Sequence, residues 1–492
     1  MANKVISGLG WTTASSLARN LVSLLQITIL TRLLAKSDFG IIAIATLFIS
    51  FTTMFLDMGI SVGIMYKKNT TKRIYSSLFW LNIFTGIVLT AILLVLSPLL
   101  TKPYNSDVLT NVVQLLAFTI FINSIGSQQR TICQKEFLFK RLAIIEILSA
   151  IITFGVAYST AKMGCGVYSL AYSTLVGGLF NNIAFLTLGL SSNHGLMWHF
   201  DIKETLPFLK IGIYSIGSRI LDFFSRELDI IIISATLGME FLGVYSIAKK
   251  IPVVVYGFVN PIVGKVVTPM FASINDNLQN LKKNYLLVTK CIAWYAFPMY
   301  LLIAAVAPTE MQIVFGKEYV DGAFVLSVFA IQYAFNSVDT VCGSLQTALG
   351  RTDIGLYWTI YRIVATSVVY FTAAQFGLSV FLCGMLGLIA INILVGWYMQ
   401  FRPMVHVTLR EYFNSFIIPF IIAALLALVL ASICYKPNVV YAICSGLVFF
   451  IMYITIMLMS RERRYVLDIC SHLSIQLPKK YSNILREGNN VF

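Results

Sequence analysis

Residues 207–234 form a segment that is long and apolar enough to cross a membrane, yet five ionisable side chains lie near its middle: Arg219, Asp222, Arg226, Glu227 and Asp229. At about 1.5 Å of rise per residue the segment spans roughly 40 Å, which places Arg219 and Asp222 close to the bilayer midplane. A charge at that depth costs about 2.5–3.5 kcal/mol on insertion scales. These side chains therefore need a polar space or polar partners inside a helical bundle.

Most of these charges lie on one face of the predicted helix. Four of the charged residues and one serine follow each other at spacings of four, three, four and three residues, which places them in a single stripe along the helix. The stripe consists of Ser215, Arg219, Asp222, Arg226 and Asp229. Two interpretations follow. Either the stripe is the wall of an aqueous cavity, or Arg219 pairs with Asp222 and Arg226 pairs with Asp229, so that the charges only hold helices together.

Other apolar segments also contain ionisable residues, and cations are in excess among them. Fixed cations in a membrane cavity need an anionic counterpart, and an arginine can bind two phosphate oxygens at once. We therefore predict a set of side chains that contact an anionic substrate: Arg19, Arg219, Arg226, Lys249, Lys265 and Arg362. Buried carboxylates can bind protons or Na⁺. The candidates for ion coupling, each with a structural ion pair as the alternative, are Asp57, Glu146, Asp222, Asp229 and Asp339.

The composition indicates a polytopic membrane protein. Of 492 residues, 58% are hydrophobic and 12% are charged, which is more apolar surface than a soluble domain can bury. The eight cysteines stand singly and the four histidines lack the spacing of metal ligands, so neither a metal site nor another cofactor is predicted.

The hydrophobic pattern predicts an all-α chain with about fourteen transmembrane helices. Loops after even-numbered helices and the two termini hold about 23 basic residues, and the other loops hold about six, so both termini are predicted to be cytoplasmic. The net charge of +15 is thus explained by topology and needs no nucleic-acid partner. The predicted helices cover residues 11–34, 39–65, 75–100, 108–129, 142–162, 167–190, 207–234, 241–271, 285–307, 322–349, 354–374, 378–400, 413–434 and 439–459.

An internal repeat relates the two halves of the chain. Residues 31–45 align with residues 234–248, with Gly40 on Gly243, at an offset of about 203 residues. The repeat predicts two six-helix lobes related by a pseudo-twofold axis along the membrane normal, followed by two C-terminal helices. The predicted units are a first lobe at 1–190, a cytoplasmic linker at 191–206, a second lobe at 207–402, helices 13 and 14 at 403–460 and a cytoplasmic tail at 461–492.

Two lobes around a central cleft predict transport by alternating access, in which the lobes rock and expose the cleft to each side in turn. The predicted eighth helix, residues 241–271, contains Pro252, Gly257, Pro261, Gly264 and Pro269, a density of helix breakers that predicts a bend or an interruption. We expect this helix to act as a hinge.

Several longer motifs resemble those of a known family. The most specific is QQRTICQKEFLFKRLAIIE at residues 128–146, and further pieces are LTRLL with DFGI, LDMGI, LGVYSIAKKI, NPIVGKVVTPMFASI, FGKEY and GRTDI. Together they resemble the Wzx-type polysaccharide flippases of the O-antigen and colanic-acid kind. These proteins form part of the polysaccharide transporter family in the multidrug/oligosaccharidyl-lipid/polysaccharide exporter superfamily.

The resemblance implies two six-helix lobes around a V-shaped cavity. It also implies translocation of undecaprenyl-pyrophosphate-linked oligosaccharide units across the bacterial inner membrane for surface polysaccharide, coupled to an ion gradient. The implied partners are the lipid-linked oligosaccharide, membrane lipids, a polysaccharide polymerase and a chain-length regulator. The dense run from Arg219 to Asp229 departs from relatives, in which polar amides are common at this position.

Two other functions remain as alternatives. A multidrug exporter of the same superfamily favours an anionic cavity for cationic drugs, which disagrees with the excess of cations. A membrane polysaccharide polymerase or ligase needs a substantial outer loop, and none is predicted. The sequence contains no nucleotide-binding G-x-x-x-x-G-K-[ST] motif. No pattern of nucleophile and acid–base residues stands out, so the chain is predicted not to be an enzyme.

Overall fold

The computed structural model describes residues 2–66, 71–190, 196–433 and 439–460, and within these ranges the chain is helical and contains no β-strand. The predicted all-α class is confirmed. The α-helices are α1 Ala2–Leu30, α2 Lys36–Thr53, α3 Ile60–Tyr66, α4 Lys72–Thr101, α5 Asp107–Lys135, α6 Phe139–Lys162, α7 Tyr168–Leu190, α8 Ile202–Thr236, α9 Met239–Ile262, α10 Thr268–Ser273, α11 Leu278–Glu310, α12 Ala323–Leu349, α13 Thr352–Ala374, α14 Leu378–Gly396, α15 Arg402–Val405, α16 Leu409–Ile433 and α17 Val439–Met459.

The chain is a multi-pass membrane protein. In the described ranges, eleven helices are long and apolar enough to cross a membrane. The other three long helices of the described ranges, α1, α8 and α9, are not among these eleven. The total of fourteen spans therefore stays a prediction, although each predicted segment overlaps at least one helix of the described residues.

The packing of the helices repeats between the two halves. In the first lobe, α1 packs on α6, α6 on α7, α7 on α5, and α5 on both α4 and α2. In the second lobe, α8 packs on α13, α13 on α14, α14 on α12, and α12 on both α11 and α9. Adding seven to each helix number in the first set of contacts gives the second set. This correspondence confirms the predicted pair of related lobes. Helices α16 and α17 lie outside the repeat, with α16 packed on α11.

The residue limits of the lobes stay predictions. Helix α8 begins at Ile202, five residues before the predicted start of the second lobe. The first residues of the predicted linker, 191–195, and the predicted tail, 461–492, lie outside the described residues.

The two lobes cross where α2 meets α9. A Cβ atom built on Gly40 would overlap the carbonyl oxygen of Met239, and one built on Gly243 would overlap the carbonyl oxygen of Lys36. The predicted offset of about 203 residues relates Lys36 to Met239 just as it relates Gly40 to Gly243. Each glycine therefore packs against the repeat counterpart of the residue that lies one helical turn before it in its own helix. The crossing therefore lies on the pseudo-twofold axis, and it requires glycine because only a residue without Cβ allows backbones to approach so closely.

The prediction of one helix over residues 39–65 is wrong. Helix α2 ends at Thr53 and α3 begins at Ile60, and the intervening Met58 and Gly59 have φ values of 42° and 74°. Asp57 stabilises the break, because its Oδ1 accepts hydrogen bonds from the backbone N–H of Ser61 at 3.0 Å and from the Ser61 hydroxyl at 2.6 Å.

The corresponding region of the second lobe is also irregular. Helix α9 ends at Ile262 and continues as a π-helix, Val263–Val267, before α10 begins. The interruption predicted from prolines and glycines is confirmed. At the offset of about 203 residues, the π-helix starts directly after the counterpart of the α2–α3 break, residues 257–262. A helix bends most readily at a π-turn or at a break in its hydrogen bonding. The role of the predicted eighth helix, residues 241–271, as a hinge stays a prediction.

We expect Gly40→Ala and Gly243→Ala to lower the melting temperature of the purified protein in detergent. The added methyl group meets a backbone carbonyl that cannot rotate away, and overpacking of this kind costs about 1–3 kcal/mol. Gly178→Ala and Gly387→Ala serve as controls, because no atom lies within 4 Å of the added Cβ at these helical positions. If Gly40→Ala melts at the same temperature as the controls, the crossing is not close-packed.

Candidate functional site

The charged stripe of α8 makes contacts both with the opposite lobe and with the neighbouring helix α9. Arg219 is the middle residue of α8, and its Nη1 lies 3.2 Å from Oδ2 of Asp57 at the α2–α3 break in the opposite lobe. The Arg219 and Asp57 side chains are 38% and 22% exposed. The alternative interpretation, in which Arg219 pairs with Asp222 on the same helix, is wrong. The arginine instead forms an ion pair that joins the two lobes.

The remaining charges of the stripe also do not form the ion pair that was predicted between residues three positions apart. Arg226 binds Asp222, with Nε 3.1 Å from Oδ1, and these side chains are 70% and 58% exposed. Asp229 is nearly buried and binds Lys249 of α9 at 2.6 Å, and it also accepts a hydrogen bond from the Tyr245 hydroxyl at 2.8 Å. The predicted pair of Arg226 with Asp229 is therefore wrong, because α9 supplies the partners of Asp229.

Three side chains in the first lobe form what we call the arginine cluster: Arg19 of α1, Arg130 of α5 and Glu146 of α6. The Glu146 carboxylate lies 2.5 Å from Nη2 of Arg130 and 3.6 Å from Nε of Arg19, and Ser15 donates to it at 3.4 Å. Both arginine side chains are about 40% exposed, whereas the glutamate is 11% exposed. Two guanidinium groups share one carboxylate, so the cluster has a formal charge of +1.

Sequence reasoning missed Arg130 as a member of this cluster. The predicted helix over residues 108–129 stopped one residue short, which assigned Arg130 to a loop, whereas α5 continues to Lys135. The resemblance of the QQR motif to a family motif was the available indication, because it singled out this short stretch without giving a role to any side chain.

A cavity of about 330 Å³ lies between five helices of the second lobe, α8, α9, α12, α13 and α14, and is also lined by α16; we call it the second-lobe cavity. Arg226 and Asp229 line it from α8, Lys249 lines it from α9, Asp339 from α12 and Arg362 from α13. Five of the residues singled out from the sequence therefore surround one space. Its location within a single lobe was not predicted.

Asp339 and Arg362 differ from the other charges of this cavity. In the part of the chain that the structure describes, neither side chain has an ion-pair partner within 4 Å. The amide oxygen Oδ1 of Asn392, which lines the same cavity, is buried and has no hydrogen-bond partner among the described residues. The cavity therefore holds polar groups that can bind a further molecule. The side chain of Lys265 lies outside the described residues.

Comparison with known proteins places the chain in a family. Residues 29–324 match the family described as "Polysaccharide biosynthesis protein". The chain belongs to this family. The resemblance to polysaccharide flippases is thereby confirmed.

Relatives named for surface polysaccharides match most of the chain. It is 27% identical to the teichuronic acid biosynthesis protein TuaB of Bacillus subtilis over 87% of this chain and 89% of that protein. It is 25% identical to the lipopolysaccharide biosynthesis protein WzxC of Escherichia coli over 85% of each. It is 22% identical to the succinoglycan biosynthesis transport protein ExoT of Rhizobium meliloti, over 95% of this chain and 96% of that one.

A solved structure shares the fold. The lipid II flippase MurJ in an inward closed conformation superimposes with a TM-score of 0.73, covering 92% of this chain and 99% of that one at 12% sequence identity. This similarity confirms the architecture of two related lobes followed by further helices. It assigns no role to individual side chains.

We expect the ion pair between Arg219 and Asp57 to show strong coupling in a double-mutant cycle. Arg219→Gln or Asp57→Asn alone leaves a partly buried charge without its partner, which costs roughly 1–3 kcal/mol, between the values for surface and buried pairs. The double variant should recover most of that loss in melting temperature. Arg351→Gln with Asp353→Asn is the control, because this pair is about half exposed and should show coupling below about 0.5 kcal/mol. Additive losses at Arg219 and Asp57 would contradict the pairing.

Proposed function

We propose that this protein is a flippase that moves lipid-linked oligosaccharide units across the bacterial inner membrane for surface polysaccharide synthesis, with both termini in the cytoplasm. The observation that carries this proposal is the arginine cluster: a net positive charge that is partly exposed inside a bundle of membrane-spanning helices. The names of the relatives support the substrate class, since they include a transport protein of succinoglycan biosynthesis and a probable glycan biosynthesis flippase of Haloferax volcanii.

The arginine cluster suits a diphosphate. Arg130 neutralises Glu146 when no substrate is bound, which leaves the charge of Arg19 available. The Nε atoms of both arginines have no hydrogen-bond partner in the described part of the protein. A guanidinium fork binds phosphate oxygens in pairs, and charge-assisted hydrogen bonds of this kind contribute about 1.5–3 kcal/mol each. A cationic drug would be repelled by the same cluster, which disfavours the multidrug exporter alternative.

Alternating access is supported by the way in which the lobes meet. The crossing of α2 and α9 lies at the start of both helices, the end that the predicted topology assigns to the extracytoplasmic side. At the same end, Arg32 donates to the carbonyl oxygen of Ile313 across the lobes at 3.2 Å. These contacts close the extracytoplasmic end, and the paired irregularities after α2 and α9 give each lobe a place to bend when it opens.

The proposed process moves the substrate without changing its covalent structure, so no catalytic residue is assigned. The substrate and the surrounding lipids are the proposed partners of the arginine cluster. A polysaccharide polymerase and a chain-length regulator act on the same substrate class, and we propose them as partners at the extracytoplasmic side.

We expect Arg19→Gln to lower translocation of lipid-linked oligosaccharide about tenfold or more, because one charge-assisted contact to the diphosphate is lost. Glu146 keeps Arg130 as its partner in this variant, so the protein should insert and fold normally. Proteoliposomes that contain the purified protein and a fluorescent lipid-linked oligosaccharide measure the rate. Arg73→Gln is the control, because Arg73 is an exposed arginine in the first turn of α4. Equal rates for both variants would count against the diphosphate role.

We propose that an ion gradient drives the cycle through Asp339. The other predicted coupling residues, Asp57, Glu146, Asp222 and Asp229, all have ion-pair partners within 4 Å, so a change in their charge would break an existing pair. Asp339 faces the second-lobe cavity together with Arg362 and has no such pair in the described residues. It can therefore exchange a proton or Na⁺ at the smallest structural cost.

Asp339→Asn should still move substrate down its own concentration gradient, and its rate should no longer respond to an imposed proton or Na⁺ gradient. The two gradients are applied separately to proteoliposomes, which also identifies the coupling ion. Asp353→Asn, a change at an exposed carboxylate one helix later, should keep the response of the unmodified protein. A full gradient response in Asp339→Asn would exclude Asp339 as the coupling site.

A further inference from the structure

The second-lobe cavity differs in charge from the arginine cluster. Its lining contains three cations and three carboxylates: Arg226, Lys249, Arg362, Glu227, Asp229 and Asp339. Lys249 and Asp229 already neutralise each other at 2.6 Å. The cavity therefore has no formal net charge with which to attract a diphosphate, whereas the arginine cluster has one. The two sites suit different parts of one substrate.

The uncharged lining of the cavity includes aliphatic side chains, aromatic rings and amides. Trp358, Tyr333 and Tyr370 supply rings, and Asn336, Asn392 and Gln332 supply amides that can donate and accept. Sugars present the matching chemistry, because their hydroxyl groups need both donors and acceptors and the C–H face of a ring packs against an aromatic ring. An apolar drug would leave the amides unpaired, and that loss is costly in a buried site.

Unsatisfied polar groups point in the same direction. Within the described ranges the buried Oδ1 of Asn392 has no hydrogen-bond partner, whereas the large majority of buried side-chain polar atoms are bonded to protein, water or ligand. Asp339 and Arg362 face the same space without an ion pair in the described residues. A carboxylate, a guanidinium and an amide around one cavity can bind several neighbouring hydroxyl groups at once.

We propose that the second-lobe cavity binds a sugar of the lipid-linked oligosaccharide, while the arginine cluster binds the diphosphate. This inference rests on the proposed flippase function. A volume of about 330 Å³ is near the lower end of the range for small-molecule sites, so the cavity accommodates one or two sugar rings and the rest of the unit lies outside it. The side chains that we assign to sugar selection are Asn336, Asn392 and Gln332.

The location also connects sugar binding to ion coupling. Arg226 stands at the rim of the cavity, because its side chain is 70% exposed while Asp229, on the same stripe of α8, is nearly buried. Asp339 lies on the cavity wall, so a sugar that occupies the cavity covers the carboxylate proposed to carry the ion. Substrate and coupling ion would thus influence each other by direct contact.

The test compares two kinds of probe on the full-length protein in nanodiscs. The first is citronellyl diphosphate. The others are the same lipid carrying a single glucose, galactose, glucuronic acid or N-acetylglucosamine. The wild type should bind at least one sugar probe about tenfold more tightly than the bare diphosphate, which corresponds to about 1.4 kcal/mol. Asn336→Ala with Asn392→Ala should lose that difference and change the affinity for citronellyl diphosphate by less than about twofold.

A matched control removes two amides elsewhere in the same lobe. Asn280→Ala with Asn284→Ala alters one exposed and one partly exposed side chain in the first turns of α11, and should leave both affinities unchanged. Asn392→Asp is a second variant that keeps the size of the side chain and an acceptor oxygen, and it should change the order of preference among the four sugars.

The outcomes separate this inference from the flippase proposal. If the diphosphate binds and Arg19→Gln weakens that binding, but no sugar probe binds more tightly, then the sugar site is wrong and the flippase proposal stands. If the double alanine variant weakens bare and sugar-bearing probes equally, the cavity does not select sugars. If Arg19→Gln leaves all affinities unchanged, the diphosphate site of the proposed function is wrong.

Discussion

The structure depends on the rule that a charge within the membrane must have a polar partner. Helix α8 cannot cross lipid as an isolated span, because its stripe of charges opposes much of the gain from its apolar residues. Asp57 in the opposite lobe, Asp222 on the same helix and Lys249 on α9 satisfy these charges. The need to pair them determines how α8 is rotated and which neighbours it contacts, and the remaining apolar faces then lie against other helices.

The two lobes share one architecture but differ in electrostatics. Their backbones meet symmetrically at Gly40 and Gly243, and the irregular segments of the two lobes lie at neighbouring positions of the repeat. In the first lobe, Arg19 and Arg130 share Glu146 and leave a net positive charge. In the second lobe, balanced charges surround a cavity lined with amides and aromatic rings. Symmetric lobes suit alternating access, and the electrostatic difference lets each lobe recognise a different part of one substrate.

Much of the fold could be predicted because its causes are local in sequence. The apolar segments, the stripe on α8 and the alignment of Gly40 with Gly243 follow from periodicity and composition. The ion-pair partners could not be predicted in the same way. A spacing of three or four residues shows that Arg226 and Asp229 share a face, but Lys249 and Tyr245 on α9 decide what Asp229 binds.

The break before α3 was missed for a related reason. Residues 56–60 are LDMGI, and their apolar neighbours continue the pattern of a spanning helix, so nothing local marks the positive φ angle of Met58. The tertiary arrangement stabilises it, because Asp57 caps α3 and also binds Arg219 of the other lobe. The second-lobe cavity was missed because it is formed by six helices from distant parts of the chain.

The central claim is that the charged stripe of α8 faces a water-filled interior, and cysteine labelling along this helix tests it most directly. Single cysteines replace Asp222, Arg226, Leu221 or Leu228 in a cysteine-free background, and a charged, membrane-impermeant thiol reagent is applied to both sides of the membrane in vesicles. We expect rapid reaction at positions 222 and 226, protection of both by lipid-linked oligosaccharide, and little reaction at 221 and 228. Rapid labelling at 221 and 228 with inert 222 and 226 would show that the stripe faces away from any aqueous cavity.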